Sequence, residues 1–149
     1  MTSEQNAVLA RRFLAEEDRL GVPPADLCAP GFSALIAGFP PMDLAGVTEL
    51  AKAFYGAFPD IKQTIEDVVA DENKAAVRFS ATGTQTGELM GMPPSGKQIS
   101  ISGMAIFHIA NGKVTEWAEV FDQMTLMQQI GAIPTPSQEP AAAPAVLHH

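Results

Sequence analysis

The chain has 149 residues, 46% of them hydrophobic and 17% charged, which is long enough for one domain with a single buried core and too apolar for a disordered chain. Its formal net charge is −8, and its nine basic residues are scattered, Arg11 and Arg12 being the adjacent pair. That balance argues against nucleic acid or an anionic membrane surface as partner.

One cysteine, Cys28, leaves no internal disulfide and no thiolate metal site, and its neighbours Asp-Leu-Cys-Ala-Pro supply no cation to activate it. The first residues lack the basic start and apolar run of a signal peptide. No apolar stretch approaches the roughly 20 residues of a membrane span, so a soluble cytoplasmic protein is expected.

Ser3 to Leu20 reads as a helix with Val8, Leu9, Phe13, Leu14 and Leu20 near one stripe. Arg11, Arg12, Glu16, Glu17 and Arg19 make its solvated face, and Gly21 caps it before Pro23-Pro24. Phe32 to Ala37 is a short apolar run, a strand or an irregular wall. Asp43 is placed to cap a second helix, in which Leu44, Val47, Leu50, Ala51, Phe54 and Phe58 recur at helical spacing until Pro59 stops it. Four strand-like runs follow: Ile61 to Ala70, Lys74 to Thr86, Lys97 to Ala110 and Lys113 to Phe121. Helices first and antiparallel hairpins afterwards indicate an α+β domain, with helices packed on one face of a curved sheet. The domain is expected to end at Ile133. A Pro/Ala-rich tail, residues 134–149, then lacks the apolar surface to order itself, and its terminal His148 and His149, possible tag remnants, are given no metal-binding role.

Asn111-Gly112 between the last two runs is a strong hairpin signal, because both residues tolerate the positive φ of a type I′ turn. With a two-residue loop, His108 falls opposite Thr115 and Ile106 opposite Trp117. Met104, Ile106, His108, Thr115, Trp117 and Glu119 then share one face; Ala105, Phe107, Ile109, Val114, Ala118, Val120 and Asp122 share the other. His108 and Asp122 could cooperate only if a β-bulge lay between Ala118 and Asp122.

Nucleotide and triad chemistry find no support. Gly91 to Lys97 has P-loop spacing, but Gln98 stands where Mg²⁺ needs Ser or Thr, and two prolines remove amide donors. No serine sits in a nucleophile-elbow pattern, and metal-ligand spacing is absent. What remains is acid-base chemistry by carboxylates and one imidazole. Asp122, before Met124, Leu126, Met127 and Ile130, fits equally an ordinary helix N-cap with a lowered pKa and a catalytic acid walled in by Trp117, Phe121 and methionines with a raised one. Glu119 is a reserve candidate; Arg78 is either a buried carboxylate partner or a surface residue.

These residues carry a resemblance. ARRF near the start, AFPD, the A-T-G-T-x-T-G-E run, G-M-P-P-S-G-K, and I-F-x-I-x-x-G-K followed by E-W-x-x-x-x-D resemble the SnoaL-like polyketide cyclases of the nuclear transport factor 2-like superfamily, over roughly Asn6 to Ile133. The resemblance implies a cone-shaped α+β barrel with a deep apolar pocket, assembled as homodimers or homotetramers, and ring closure of an aromatic polyketide ester by intramolecular aldol condensation without cofactor or metal. It implies that Asp122 is the acid/base and His108 a pocket histidine. Trp117, Phe121, Met104, Met124, Phe54, Tyr55 and Phe79 are the expected substrate contacts, and the substrate a small apolar or aromatic carbonyl compound. Gln85 stands where the family often has histidine, and GFSALIAGFPP where it usually has a more polar pocket mouth. Alternatives on the same cone are an epoxide hydrolase, an isomerase using Tyr55, or a non-catalytic ligand-binding dimerisation module.

Overall fold

The computed structural model describes residues 2–134; nearly all of the Pro/Ala-rich tail, with its two histidines, lies outside the described residues. Those residues form three helices and a five-stranded sheet: α1 (Ser3–Leu20), β1 (Cys28–Ile36), α2 (Leu44–Ala57), β2 (Lys62–Ala70), β3 (Lys74–Thr84), β4 (Gln98–Ala110), β5 (Lys113–Phe121) and α3 (Gln123–Gln129). The sheet order is β1-β5-β4-β3-β2. It is curled and unclosed, with the helices against its concave side, the α+β cone expected from the sequence. One correction concerns β1: the ambiguous run is a nine-residue strand, and it pairs parallel to β5 while the other neighbours are antiparallel.

Helix α1 starts at a capping box, in which Thr2 and Gln5 satisfy each other's backbone amides, and stops at Gly21 in the left-handed region. Its buried stripe is Asn6, Leu9, Ala10, Phe13, Leu14 and Glu17. Val8 and Leu20 are exposed, and Glu17, expected on the solvated face, is buried. The reason is angular: Glu17 follows Phe13 by four residues and Ala10 by seven, so it stands directly below them, whereas Val8 lies five residues from Phe13 and points away. Phe13 is fully buried against the sheet, its ring centroid 4.9 Å from that of Phe107 and 5.1 Å from that of Trp117.

The β4–β5 hairpin has the expected turn, with φ of 53° at Asn111 and 74° at Gly112. Its register departs from the regular count two residues later. Ile109 pairs with Val114 but His108 pairs with Glu116, so Thr115 is an extra residue, a β-bulge whose hydroxyl donates to the His108 carbonyl at 3.1 Å. Everything beyond it changes face. Trp117, Glu119 and Phe121 turn to the concave side with Phe107 and Ala105, while Glu116, Ala118 and Val120 turn outward with His108, Ile106 and Met104. Gly103 completes this wall: a Cβ there would come within 2.6 Å of Phe79 Cζ and 2.8 Å of the Val120 carbonyl oxygen, so glycine lets Phe79 and Phe121 close over it.

Candidate active site

A cavity of about 100 Å³ lies between α1, α2 and the concave sheet, and is partly open to solvent. Val47, Leu50, Ala51 and Phe54 of α2 form one wall; Phe79, Ala81, Ile99, Ile101, Trp117 and Phe121 of the sheet form the other, and Leu126 of α3 adds to the lining. An apolar cavity of this order takes a single ring: one of about 150 Å³ binds benzene. Four polar residues enter it, Glu17, Tyr55, Gln63 and Glu119.

Gln63 of β2 and Tyr55 of α2 are tied to α1. The Tyr55 hydroxyl donates to Asp18 Oδ1 at 2.7 Å, the Gln63 backbone amide donates to Asp18 Oδ2 at 2.8 Å, and Gln63 Nε2 donates to Glu17 Oε1 at 3.1 Å and Asp18 Oδ1 at 3.0 Å. Consecutive residues of α1 thus divide the work, Asp18 anchoring the network and Glu17 entering the cavity. Burial pushes the Glu17 carboxyl up to about 8, with the charge of Glu119 adding to the shift and the Gln63 hydrogen bond opposing it. Burial also pushes the Tyr55 phenol well above its ordinary value, so it keeps its proton and donates it in the hydrogen bond to Asp18.

Glu119 reaches the cavity from β5, where it pairs with Ala105 of β4. Its Oε1 is sealed from solvent and has no hydrogen-bond partner among the described residues; the same holds for Nε1 of Trp117, two residues earlier on the same face. Burial pushes the Glu119 carboxyl up to about 7, and the nearby indole N–H pulls it back somewhat, although the two groups are not in hydrogen-bonding geometry. A cavity with two carboxyls ionising near neutrality can both remove and return a proton.

Of the expected substrate contacts, Trp117, Phe121, Phe54, Tyr55 and Phe79 line this cavity; Met104 and Met124 do not, being 60% and 66% exposed. The structure does not bring the expected pair together. Asp122 is the exposed N-cap of α3, accepting from the Thr125 amide at 3.0 Å and the Thr125 hydroxyl at 2.6 Å, and these bonds hold its carboxyl below the usual range. The bulge of this hairpin is at Thr115 and not between Ala118 and Asp122, where cooperation of the pair required one, and it turns Trp117 and Glu119 into the cone. His108 lies on the outer face, its Nε2 3.7 Å from Glu116. It is five residues along β4 from Gly103, the partner of Phe121, or about 17 Å at the usual strand rise. Arg78 is exposed on the outer side of β3, leaving no arginine in the cavity lining. Gln85 is fully buried but serves the 87–96 loop, accepting from the Ser95 amide and donating to the Pro93 carbonyl. Cys28, half-buried with its thiol pushed up to about 11, fits the inert role expected. Sequence reasoning missed Glu17; the signal was present, since an acidic residue fell at i+4 from Phe13 on the buried stripe.

A curled sheet enclosing an apolar cavity under covering helices defines the nuclear transport factor 2-like class of α+β cones. The family model of the SnoaL-like polyketide cyclases matches residues 25–130, and the chain belongs to that family. Among solved structures, AclR from Streptomyces galilaeus, a candidate hydroxylase, superposes with a TM-score of 0.82 at 24% identity, over 90% of this chain and 85% of that one. IdmH from Streptomyces antibioticus, a candidate polyketide cyclase, gives 0.67 at 25% identity, over 86% and 96%. An LEH-like epoxide hydrolase from M. tuberculosis gives 0.63 at 12% identity, over 86% and 90%. The first and last of these likenesses concern the fold alone. No curated protein matches the chain.

Proposed function

We propose that the protein is an acid-base enzyme of the cyclase type, acting on a small neutral carbonyl compound in the apolar cavity, with Glu119 and Glu17 as its proton-transfer pair. The observation that carries this reading is the convergence of two carboxyls, from a helix and a strand, on one cavity whose remaining lining is almost wholly apolar. Glu119, whose Oε1 has no hydrogen-bond partner among the described residues, takes the role of base, and Glu17, whose Oε1 accepts from Gln63, takes the role of acid. Glu119 would remove the proton α to a carbonyl; the enolate carbon would attack a second carbonyl of the same molecule, and Glu17 would protonate the resulting alkoxide. Both electron pairs and both protons are then accounted for without a cofactor. Among the described residues no cluster of three or more metal-ligating side chains occurs. Assembly as homodimers or homotetramers belongs to the same reading, through the outer sheet face considered below.

The test is α-proton exchange of cyclohexanone in D₂O, followed by NMR. Wild type should accelerate exchange, E119Q should lose about 100-fold or more, as removal of a general base does, and D122N and H108A should stay within about twofold of wild type. Full activity of E119Q together with its loss in D122N would overturn the reading.

A non-catalytic ligand-binding module is the second reading, favoured by one observation: among the described residues the exposed Asp122 side chain is hydrogen-bonded to Thr125 of its own helix alone. Absence of exchange with any enolisable ketone that binds would select it. Epoxide hydrolysis through an arginine bridging two carboxylates lacks its arginine in the cavity, and the isomerase route through Tyr55 lacks a free donor, because that hydroxyl is held by Asp18.

A further inference from the structure

We infer that Gln63 is a positioning residue of the acid-base pair: its side-chain amide, turned by Asp18, holds a fixed N–H donor against Glu17 for the charge that appears there when Glu17 gives up its proton. This deepens the acid-base reading of the cavity and rests on it.

Two observations carry the inference. The first is that one carboxylate grips Gln63 at both ends. Asp18 Oδ2 accepts from the Gln63 backbone amide at 2.8 Å and Oδ1 from its Nε2 at 3.0 Å, and Oδ1 also accepts from the Tyr55 hydroxyl at 2.7 Å. A carboxylate has acceptors only, so the side-chain amide cannot turn over: with its carbonyl in that place, two oxygens would meet without a hydrogen between them. Nε2 is therefore the end that faces Glu17, donating to its Oε1 at 3.1 Å. The second observation is placement. Gln63 pairs with Ala81 of β3, and Gln63, Ala81 and Glu17 all line the cavity. Tying α1 to α2 and β2 needs only the bonds of Asp18 to Tyr55 and to the Gln63 backbone; the bond to Glu17 is an additional one, made at the cavity wall.

Glu17 is 5% exposed. When it passes its proton to the alkoxide, the O–H bond breaks and the electron pair stays on a carboxylate that water barely reaches. An unpaired charge in such a place is costly, and a donor already in position lowers that cost without rearrangement during the reaction. The titratable groups around Glu17 are Asp18 on its own helix, Tyr55 of α2 and Glu119 of β5. The charges of Glu119 and Asp18 oppose ionisation of Glu17, Tyr55 is turned to Asp18, and the Gln63 N–H favours it. The same bond chooses the oxygen that carries the proton: Oε1 is the acceptor, so the proton rides on Oε2.

Two measurements on the full chain test this. In wild type the Gln63 side-chain ¹⁵N–¹H signal should move downfield as pH rises through about 8, because ionisation of Glu17 strengthens the bond, and the movement should vanish in E17Q. Q63M keeps the length of the side chain and removes the donor. There the Glu17 ¹³C carboxyl titration, identified by its absence from E17Q, should rise by about one pH unit. Exchange of cyclohexanone should fall about tenfold with KM within about twofold, and the high-pH limb of its profile should follow the titration upward. A role confined to bracing the fold would leave titration and limb in place. A Gln63 signal that ignores Glu17, or a Glu17 titration unmoved in Q63M, would overturn the inference. If Q63M does not fold, the comparison of wild type with E17Q decides alone. The NMR titrations need no turnover, so the two readings fail separately. An unmoved Glu17 titration with inactive E119Q removes the positioning role alone, whereas full activity of E119Q removes the acid-base reading whatever the titration gives.

Discussion

Glu17 and Glu119 keep protons that an unfolded chain would release, and stability follows from that difference. Both carboxyls ionise near 4.5 when exposed and at about 8 and about 7 in the folded protein. Between those limits the native state binds more protons than the unfolded state, so the free energy of unfolding falls as pH rises. The contribution is intact below about 4.5 and lost through about 8, and for two buried groups it amounts to several kcal/mol. Chemical denaturation should therefore give a protein less stable at pH 9 than at pH 6, and E17Q should flatten that slope and exceed wild type at pH 9. A wild-type stability that rises over this interval would contradict the burial of the pair. Asp122 belongs to the opposite category, an exposed cap with a lowered pKa. D122A should lower the melting temperature modestly by removing the acceptor of the Thr125 amide, and leave α-proton exchange nearly unchanged.

Thr115 decides more about the site than any cavity residue, because strand alternation has period two and one inserted residue exchanges the faces of everything beyond it. With the bulge, Trp117, Glu119 and Phe121 look into the cone; without it they would face solvent, and Ala118 and Val120 would face the core. Deleting Thr115 should thus disperse the core, seen as loss of the folded NMR spectrum and of cooperative unfolding. A well-folded deletion mutant would show that the register is set elsewhere. A second irregularity, between Ile65 and Asp67 where β2 meets β3, bends the sheet at its other edge. The same logic governs α1, where one carboxylate at the i+4 position of a Phe becomes part of the core and its neighbour Asp18 becomes the anchor that holds Tyr55 and Gln63.

At the scale of the molecule, the concave side of the sheet is covered by helices and the convex side is not. Val69, Met104 and Val120 are 68%, 60% and 61% exposed there, with Ile106 among them, an apolar patch of the kind that marks association surfaces. His108 and Glu116 lie on this same face, so the histidine expected in the pocket has the surroundings of an interface residue. The proposed self-association uses this surface: sedimentation of the wild type should give a dimer or tetramer, and V120E should give a monomer with unchanged secondary structure. A monomeric wild type would remove the proposal.

The amino-acid sequence by itself determined the ends of the helices, the Asn111-Gly112 hairpin, the serial strands and the family, because capping, turn chemistry and hydrophobic period are local properties that a few neighbouring residues satisfy. Helix α1 has the expected limits, and Trp117, Phe121, Phe54, Tyr55 and Phe79 line the cavity. Which carboxylates face that cavity was decided by tertiary structure. A bulge has no sequence signature as clear as Asn-Gly, so the regular count puts Trp117 and Glu119 on the face of His108, whereas both turn to the opposite, concave side with Phe107 and Ala105. A carboxylate is ordinarily solvated, so residue type alone places Glu17 in water, whereas its i+4 spacing from Phe13 buries it. Their raised proton affinities arise from the removal of solvent by elements distant in the chain, α2 and β2 among them, and no run of residues read along the sequence contains that enclosure.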